Sequence, residues 1–114
     1  MVTKYRKRLL QNGVDEFVKK AIHYLAEHNH WNIIAMETDK DHIHILLEYD
    51  ATERICDIIR ILKRQTTHYL WIRYKTFLFR NYWKKQSFWS DGYFACSIGE
   101  VSSATIEKYI AEQG

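Results

Sequence analysis

Two histidines one residue apart, His42 and His44, and a tyrosine and a glutamine four residues apart, Tyr109 and Gln113, are the side chains here whose types and spacing could do chemistry. Residues 41–49 read as a β-strand, along which side chains alternate. Ile43, Ile45 and Leu47 would then point one way, and His42, His44, Leu46 and Glu48 the other. Residues i and i+2 on one face stand about 7 Å apart at Cα, near enough for two imidazole nitrogens to converge on a divalent ion. A chain with six histidines can also produce one His-x-His by accident, and a solvated strand face is the commoner fate of such a pair. Tyr109 and Gln113 project from one side of a predicted terminal helix over 103–113. A tyrosine can act as a covalent nucleophile towards phosphate, and a glutamine carbonyl can complete a metal site begun by two histidines. Taken alone, a core tyrosine and a fraying glutamine are the ordinary reading of that helix.

The elements that must position these groups follow from periodicity. Residues 2–10 read as a strand that becomes basic and ends at the turn Gln11-Asn12-Gly13. Val14, Phe17, Val18, Ala21, Ile22 and Leu25 repeat at helical spacing over 14–27, with Asp15 and Glu16 in the first turn where the helix dipole favours them. Residues 31–37 read as a strand joined through Thr38-Asp39-Lys40 to the histidine strand as a hairpin. A second helix is expected from Thr52, as N-cap, to before Thr76, with Ile55, Ile58, Ile59, Leu62, Tyr69 and Leu70 on one face. Ser90-Asp91-Gly92 then turns the chain into a last strand over 93–98, and 99–102 is a small-residue link to the final helix. The order β-α-β-β-α-β predicts an α+β, ferredoxin-like antiparallel sheet with helices on one face, plus a C-terminal helix carrying the tyrosine. Its first strand would lie beside the histidine strand. If Ile43, Ile45 and Leu47 pack on the helices, His42 and His44 lie on the other face.

Composition bounds the class. The chain of 114 residues reads as one domain over 1–114, with no proline, repeat or low-complexity tract, and is large enough to fold without a metal or disulfide. Cys56 and Cys96 match no metal or redox spacing and read as reduced thiols. No apolar run approaches the ~18 residues of a membrane span and no leader is evident, so a soluble, cytoplasmic protein is expected. The net charge of +3 is modest, but its distribution is not uniform. Basic residues cluster at Lys4, Arg6, Lys7 and Arg8, recur at Arg60, Lys63 and Arg64, and sit among aromatics at Lys84 and Lys85. Three clusters in a small domain favour a polyanion, although each alone could be a solvated face. Residues 67–89 are crowded with aromatic and basic side chains, the combination that stacks on splayed bases and tracks phosphates in single-stranded nucleic acid. More than half of these aromatics are nevertheless expected in the core.

With both ends in view the sequence resembles the single-tyrosine HUH transposases, the small TnpA-like enzymes that move insertion sequences as single-stranded DNA. The matching segments are His42-Ile43-His44, the start Lys4-Tyr5-Arg6, residues 88–94 (FWSDGYF) and residues 106–113 (IEKYIAEQ), in order along essentially the whole chain. The resemblance implies that His42, His44 and Gln113 ligate Mg²⁺ or Mn²⁺ and that Tyr109 is the nucleophile. Tyr109 would cleave DNA through a 5′-phosphotyrosine and leave a free 3′-OH, so that strands are exchanged without ATP. An imidazole pair with an amide is softer than the all-oxygen shell Mg²⁺ prefers, so Mn²⁺ should substitute readily. Implied partners are hairpin ends of an insertion sequence, met by Lys4, Arg6, Lys63, Arg64, Lys84 and Lys85, and a second copy of the chain sharing its active sites. The setting implied is prokaryotic cytoplasm, at the nucleoid when acting. With only three residues ahead of Lys4, the first strand is expected to be shorter than in relatives, and the chain stops one residue after Gln113.

The competing reading from another class is a non-catalytic or domesticated module that binds single-stranded nucleic acid or hairpins. Gly92-Tyr93-Phe94 faintly echoes the aromatic motif of RNA-recognition domains, without its second glycine and preceding basic residue. Tyr109 separates the two, because a binder has no use for its hydroxyl. A zinc hydrolase is the weakest alternative, since no Cys, Asp or Glu stands at an obvious third-ligand spacing from the histidines.

Overall fold

A computed structural model describes residues 1–95 of the chain; the expected terminal helix with Tyr109 and Gln113, the link before it, Cys96 and the second half of the expected last strand lie outside them. Helix α1 spans Val14–Asn29, strand β1 Asn32–Asp39, strand β2 His42–Glu48, helix α2 Ile55–Arg73 and helix α3 Lys75–Asn81. The architecture is α+β, with a two-stranded antiparallel sheet and helices.

Helix α1 forms where its periodicity predicts and buries Val14, Val18, Ile22, Leu25 and Ala26 on one stripe. It begins at Gly13, whose φ of 96° only glycine adopts without strain, and ends at His30, whose backbone N–H closes on the Ala26 carbonyl. The chain leaves Asp39 for a two-residue turn, Lys40-Asp41, and re-enters the hairpin at His42, with Asp39 opposite His42 and Glu37 opposite His44. The turn thus falls one residue later than Thr38-Asp39-Lys40 suggests. A register shift at Ile34 puts one extra residue in β1. Ile43 is 1% exposed, and Ile33, Met36, Ile45 and Leu47 pack with it against the buried residues of α1 and α2.

The sequence-based strand over 2–10 is a correction. Only Val2 and Thr3 bridge to neighbours, Val2 to His42 and Thr3 to Trp89, both antiparallel. Tyr5 and Arg6 then take φ values of 61° and 51°, which turn Lys4–Arg6 into a short 3₁₀ segment and end any extended run. The described half of the expected last strand, residues 93–95, also differs from expectation. Backbone bonds from Lys4 N–H to the Phe88 carbonyl (2.8 Å) and from Ser90 N–H to the Val2 carbonyl (2.8 Å) pair residues 88–90, whereas 93–95 are not in a strand. The bridges run in the sense the four-stranded expectation requires, but only the hairpin forms a continuous ladder among the described residues.

Two helix boundaries differ as well. Thr52 does not cap α2; its N–H and hydroxyl both bond the Asp50 carboxylate in a local turn, and Arg54 takes the cap position. The aromatic stretch after Arg73 contains α3, which periodicity did not reveal because exposed Phe77 and Phe79 flank the buried Leu78. Of the aromatics between residues 69 and 89, Trp71, Tyr82, Phe88 and Trp89 are buried, Tyr69 and Tyr74 pack at the core's margin, and Phe77, Phe79 and Trp83 are exposed. No helix among the described residues is long and apolar enough to cross a membrane.

One buried polar contact ties α2 to the segment that carries the last bridge. Trp89 Nε1–H donates to Thr66 Oγ1 at 2.8 Å, and the Thr66 hydroxyl donates in turn to the Leu62 carbonyl. Thr66→Val keeps the shape of the side chain and leaves the indole N–H without its partner in an apolar core. It should cost about 1–3 kcal/mol in urea unfolding, and an unchanged midpoint and slope would show that the contact contributes nothing net.

Candidate metal site and basic groove

Alternation along β2 puts His42 and His44 side by side on the face turned away from the core, with their ring centroids 5.0 Å apart and the planes at 78°. Both are half-buried. His42 Nδ1 stands 2.7 Å from Asp41 Oδ1, and Asp41 Oδ2 accepts from Arg6 Nε at 3.1 Å. The His42 contact, with Arg6 behind it, holds the Asp41 carboxyl below the usual carboxylate range. Burial, followed by the neighbouring His42 and the N-terminal ammonium, pushes the His44 imidazole below its ordinary value. That favours the neutral form, the only one with a lone pair for a metal.

The chemistry of this donor set fits a divalent ion. Two imidazoles suit Mn²⁺ and later transition metals better than Mg²⁺. Among the described residues no three His, Cys, Asp or Glu side chains converge, so His42 and His44 need further donors. Gln113, the third ligand implied by resemblance, lies outside the described residues, as does Tyr109. Cross-strand pairing puts Glu37 and Asp39 on the same face, opposite His44 and His42.

The basic residues divide between two places. Lys4 and Arg6 lie at the N-terminal turn, Lys4 with its ammonium 5.5 Å from the Tyr5 ring centroid and Arg6 on Asp41. Lys63, Arg64 and Lys85 line a groove of about 620 Å³ between α2 and residues 85–93, together with Arg60, the half-buried thiol Cys56 and Trp89. Within it, Lys63 Nζ donates to the carbonyls of Ser90 (2.7 Å), Asp91 (3.1 Å) and Gly92 (2.9 Å), so its three donors are spent on fixing that loop. Desolvation lowers the affinity of this ammonium for its proton. Lys84 sits apart, exposed, over the Trp83 ring at 5.0 Å. Sequence reasoning missed Asp41 as the partner of both His42 and Arg6. The available signal was its adjacency to His42, but neighbours along a strand normally face opposite ways, and only the turn at 40–41 brings the two together.

Comparison with known proteins gives this geometry a context. The family model described as "Transposase IS200 like" matches residues 1–113. The ISDra2 transposase TnpA of Deinococcus radiodurans is 29% identical over 110 residues, covering 96% of this chain and 77% of that protein. The transposase for insertion sequence element IS200 of Salmonella typhimurium is 26% identical over 110 residues, covering 96% of this chain and 70% of its own length. A crystal structure of a candidate transposase from D. radiodurans superposes with a TM-score of 0.77 at 26% identity, covering 98% of this chain and 85% of that one. With a family model spanning nearly every residue and the histidine pair set on one strand face, the chain belongs to the IS200-like transposase family.

Proposed function

We propose that this transposase-family chain cleaves and rejoins single-stranded DNA at the hairpin ends of an insertion sequence, through a covalent tyrosine intermediate and with a divalent ion at the histidine pair. The observation that carries the reading is the adjacency of His42 and His44, half-buried on the face away from the core, in a chain of this family.

Tyr109 is the nucleophile in this reading. Its Oη attacks the scissile phosphorus, the P–O3′ bond breaks, and the tyrosyl proton leaves to solvent as the departing 3′ oxygen takes one up. One DNA segment ends in a free 3′-OH and the other is held as a 5′-phosphotyrosine. A 3′-OH from another strand end then attacks that phosphorus and releases Tyr109, so the energy of the phosphodiester is conserved between the two steps. Mn²⁺ or Mg²⁺ held by His42, His44 and Gln113 would polarise a non-bridging phosphate oxygen and offset the charge that develops there. Arg64 and Lys85 in the groove, with Lys84 beside exposed Trp83, supply charges and a ring face suited to phosphates and unpaired bases.

Incubation with labelled single-stranded DNA from the flanks of the gene, in Mg²⁺ or Mn²⁺, tests the whole reading through a denaturation-resistant protein–DNA adduct. Tyr109→Phe should abolish that adduct and leave DNA binding nearly intact, because it removes one hydroxyl and little packing. A variant that still forms the adduct would end the nucleophile assignment, and a wild type that binds DNA without ever forming one would favour the non-catalytic module.

His42→Ala or His44→Ala should lower cleavage by orders of magnitude, and excess chelator should mimic both. Full cleavage in chelator would return the histidines to a structural role.

A two-fold dimer that exchanges its terminal helix would complete each histidine site with the partner's tyrosine. Heterodimers of His44→Ala with Tyr109→Phe, each inactive as a homodimer, should then recover cleavage at one of their two sites. Heterodimers as inactive as both parents would favour sites built within one chain.

A further inference from the structure

The contact between Asp41 and His42 is not a by-product of their adjacency. Successive residues of a strand face opposite ways, so an Asp-His neighbour pair inside a strand would not meet. Asp41 escapes this because it is the last residue of the hairpin turn, and two separate contacts hold it there. Its carbonyl accepts the backbone N–H of fully buried Thr3 at 2.9 Å, while the Thr3 hydroxyl donates to the Lys7 carbonyl at 2.6 Å. Its Oδ2 accepts Arg6 Nε at 3.1 Å, which leaves Oδ1 for His42 Nδ1 at 2.7 Å. The two oxygens therefore divide the work, one facing the guanidinium and the other the imidazole.

Arg6 reaches Asp41 only because the chain turns sharply at Tyr5 and Arg6, both in the left-handed region that residues other than glycine rarely adopt. That turn is pinned on every side. Arg6 N–H bonds the Thr3 carbonyl at 2.9 Å, Lys4 N–H bonds the Phe88 carbonyl at 2.8 Å, and the Tyr82 hydroxyl donates to the Lys4 carbonyl at 2.8 Å. The ion pair itself adds little stability, since the Arg6 side chain is 71% exposed and water competes for it. An unusual backbone turn that yields a weak surface ion pair is better explained by what the pair orients.

We propose that Asp41, held by Arg6, is a positioning residue for the histidine pair: it accepts the hydrogen bond from His42 Nδ1–H, fixes the tautomer and the ring, and leaves Nε2 as the free lone pair for a divalent ion. Carboxylates that accept the far proton of a ligand imidazole act in this way in general. The T-shaped contact of the two rings extends the constraint to His44. This inference rests on the reading that His42 and His44 hold such an ion.

The test uses the full chain and two measurements. Nitrogen-15 spectra of the imidazoles, recorded without metal at a pH where they are neutral and assigned with His42→Ala, should show His42 protonated at Nδ1 and bare at Nε2. Asp41→Ala should shift it towards the Nε2–H form, whereas Asp41→Asn, which keeps an oxygen acceptor, should hold the wild-type tautomer. Titration of Mn²⁺ followed by electron paramagnetic resonance should give affinity about 10–100-fold weaker in Asp41→Ala, a smaller loss in Arg6→Gln, and a melting temperature close to wild type in both. Wild-type tautomer and wild-type Mn²⁺ affinity in Asp41→Ala would overturn the proposal alone. Failure of the wild-type chain to take up Mn²⁺ would overturn the metal reading, and the proposal with it.

Discussion

The two-residue period of β2 is the constraint on which the rest of the molecule depends. Ile43 must be buried for the hairpin to join the core of α1 and α2, and once it is, His42 and His44 have only the opposite face available. A slip of one residue would bury both imidazoles without partners and expose Ile43, Ile45 and Leu47, so the register is specified by hydrophobic burial and the site follows from it. The Lys40-Asp41 turn anchors one end of that register, and the extra residue at Ile34 absorbs a mismatch at the other without moving the histidines.

The N-terminal segment adds a second layer of constraint. Met1 and Ile43 exchange backbone hydrogen bonds, Met1 N donating to the Ile43 carbonyl at 3.0 Å and Ile43 N–H to the Met1 carbonyl at 2.9 Å. On its other side the segment bonds residues 88–90, so it lies between the histidine strand and the chain that leaves α3. Tyr82 ties the far side of this arrangement; burial raises its hydroxyl pKa to about 12, which keeps it a proton donor to the Lys4 carbonyl. The helix hidden in the aromatic stretch thus supports the turn that carries Arg6, and through Arg6 the orientation of His42.

What could be read from the sequence divides along the same physical line. The hairpin, α1, α2 and the two faces of β2 were legible because apolar residues repeat at the periods of helix and strand. The end of the first strand was not, because it is set by positive φ at Tyr5 and Arg6, neither of which is a residue type that announces a turn. Thr52 is a good cap by type, but Asp50 takes its N–H and hydroxyl first. The histidine pair was visible as a motif, whereas the clasp of Arg6, Asp41 and His42 joins residues 35 positions apart and depends on a backbone geometry that composition does not encode.

The charges illustrate why counts of basic residues overstate a polyanion surface. Lys63 gives its protons to three carbonyls, Lys7 donates to the Asn81 carbonyl, Arg6 binds Asp41 and Arg60 pairs with Asp57. Each of these was part of a basic cluster by sequence, and each has a structural partner among the described residues. An interaction with phosphates releases counterions in proportion to the cations that make contact, so the salt dependence of binding measures this division directly. The cations best placed to contribute are Arg64 and Lys85 in the groove and Lys84 on Trp83, because no protein carboxylate or carbonyl among the described residues holds them. In this fold Arg6 near the histidines is tied to Asp41, and along the groove Lys63 and Arg60 are tied as well, so of the groove's basic side chains Arg64 and Lys85 are the ones without a protein partner among the described residues.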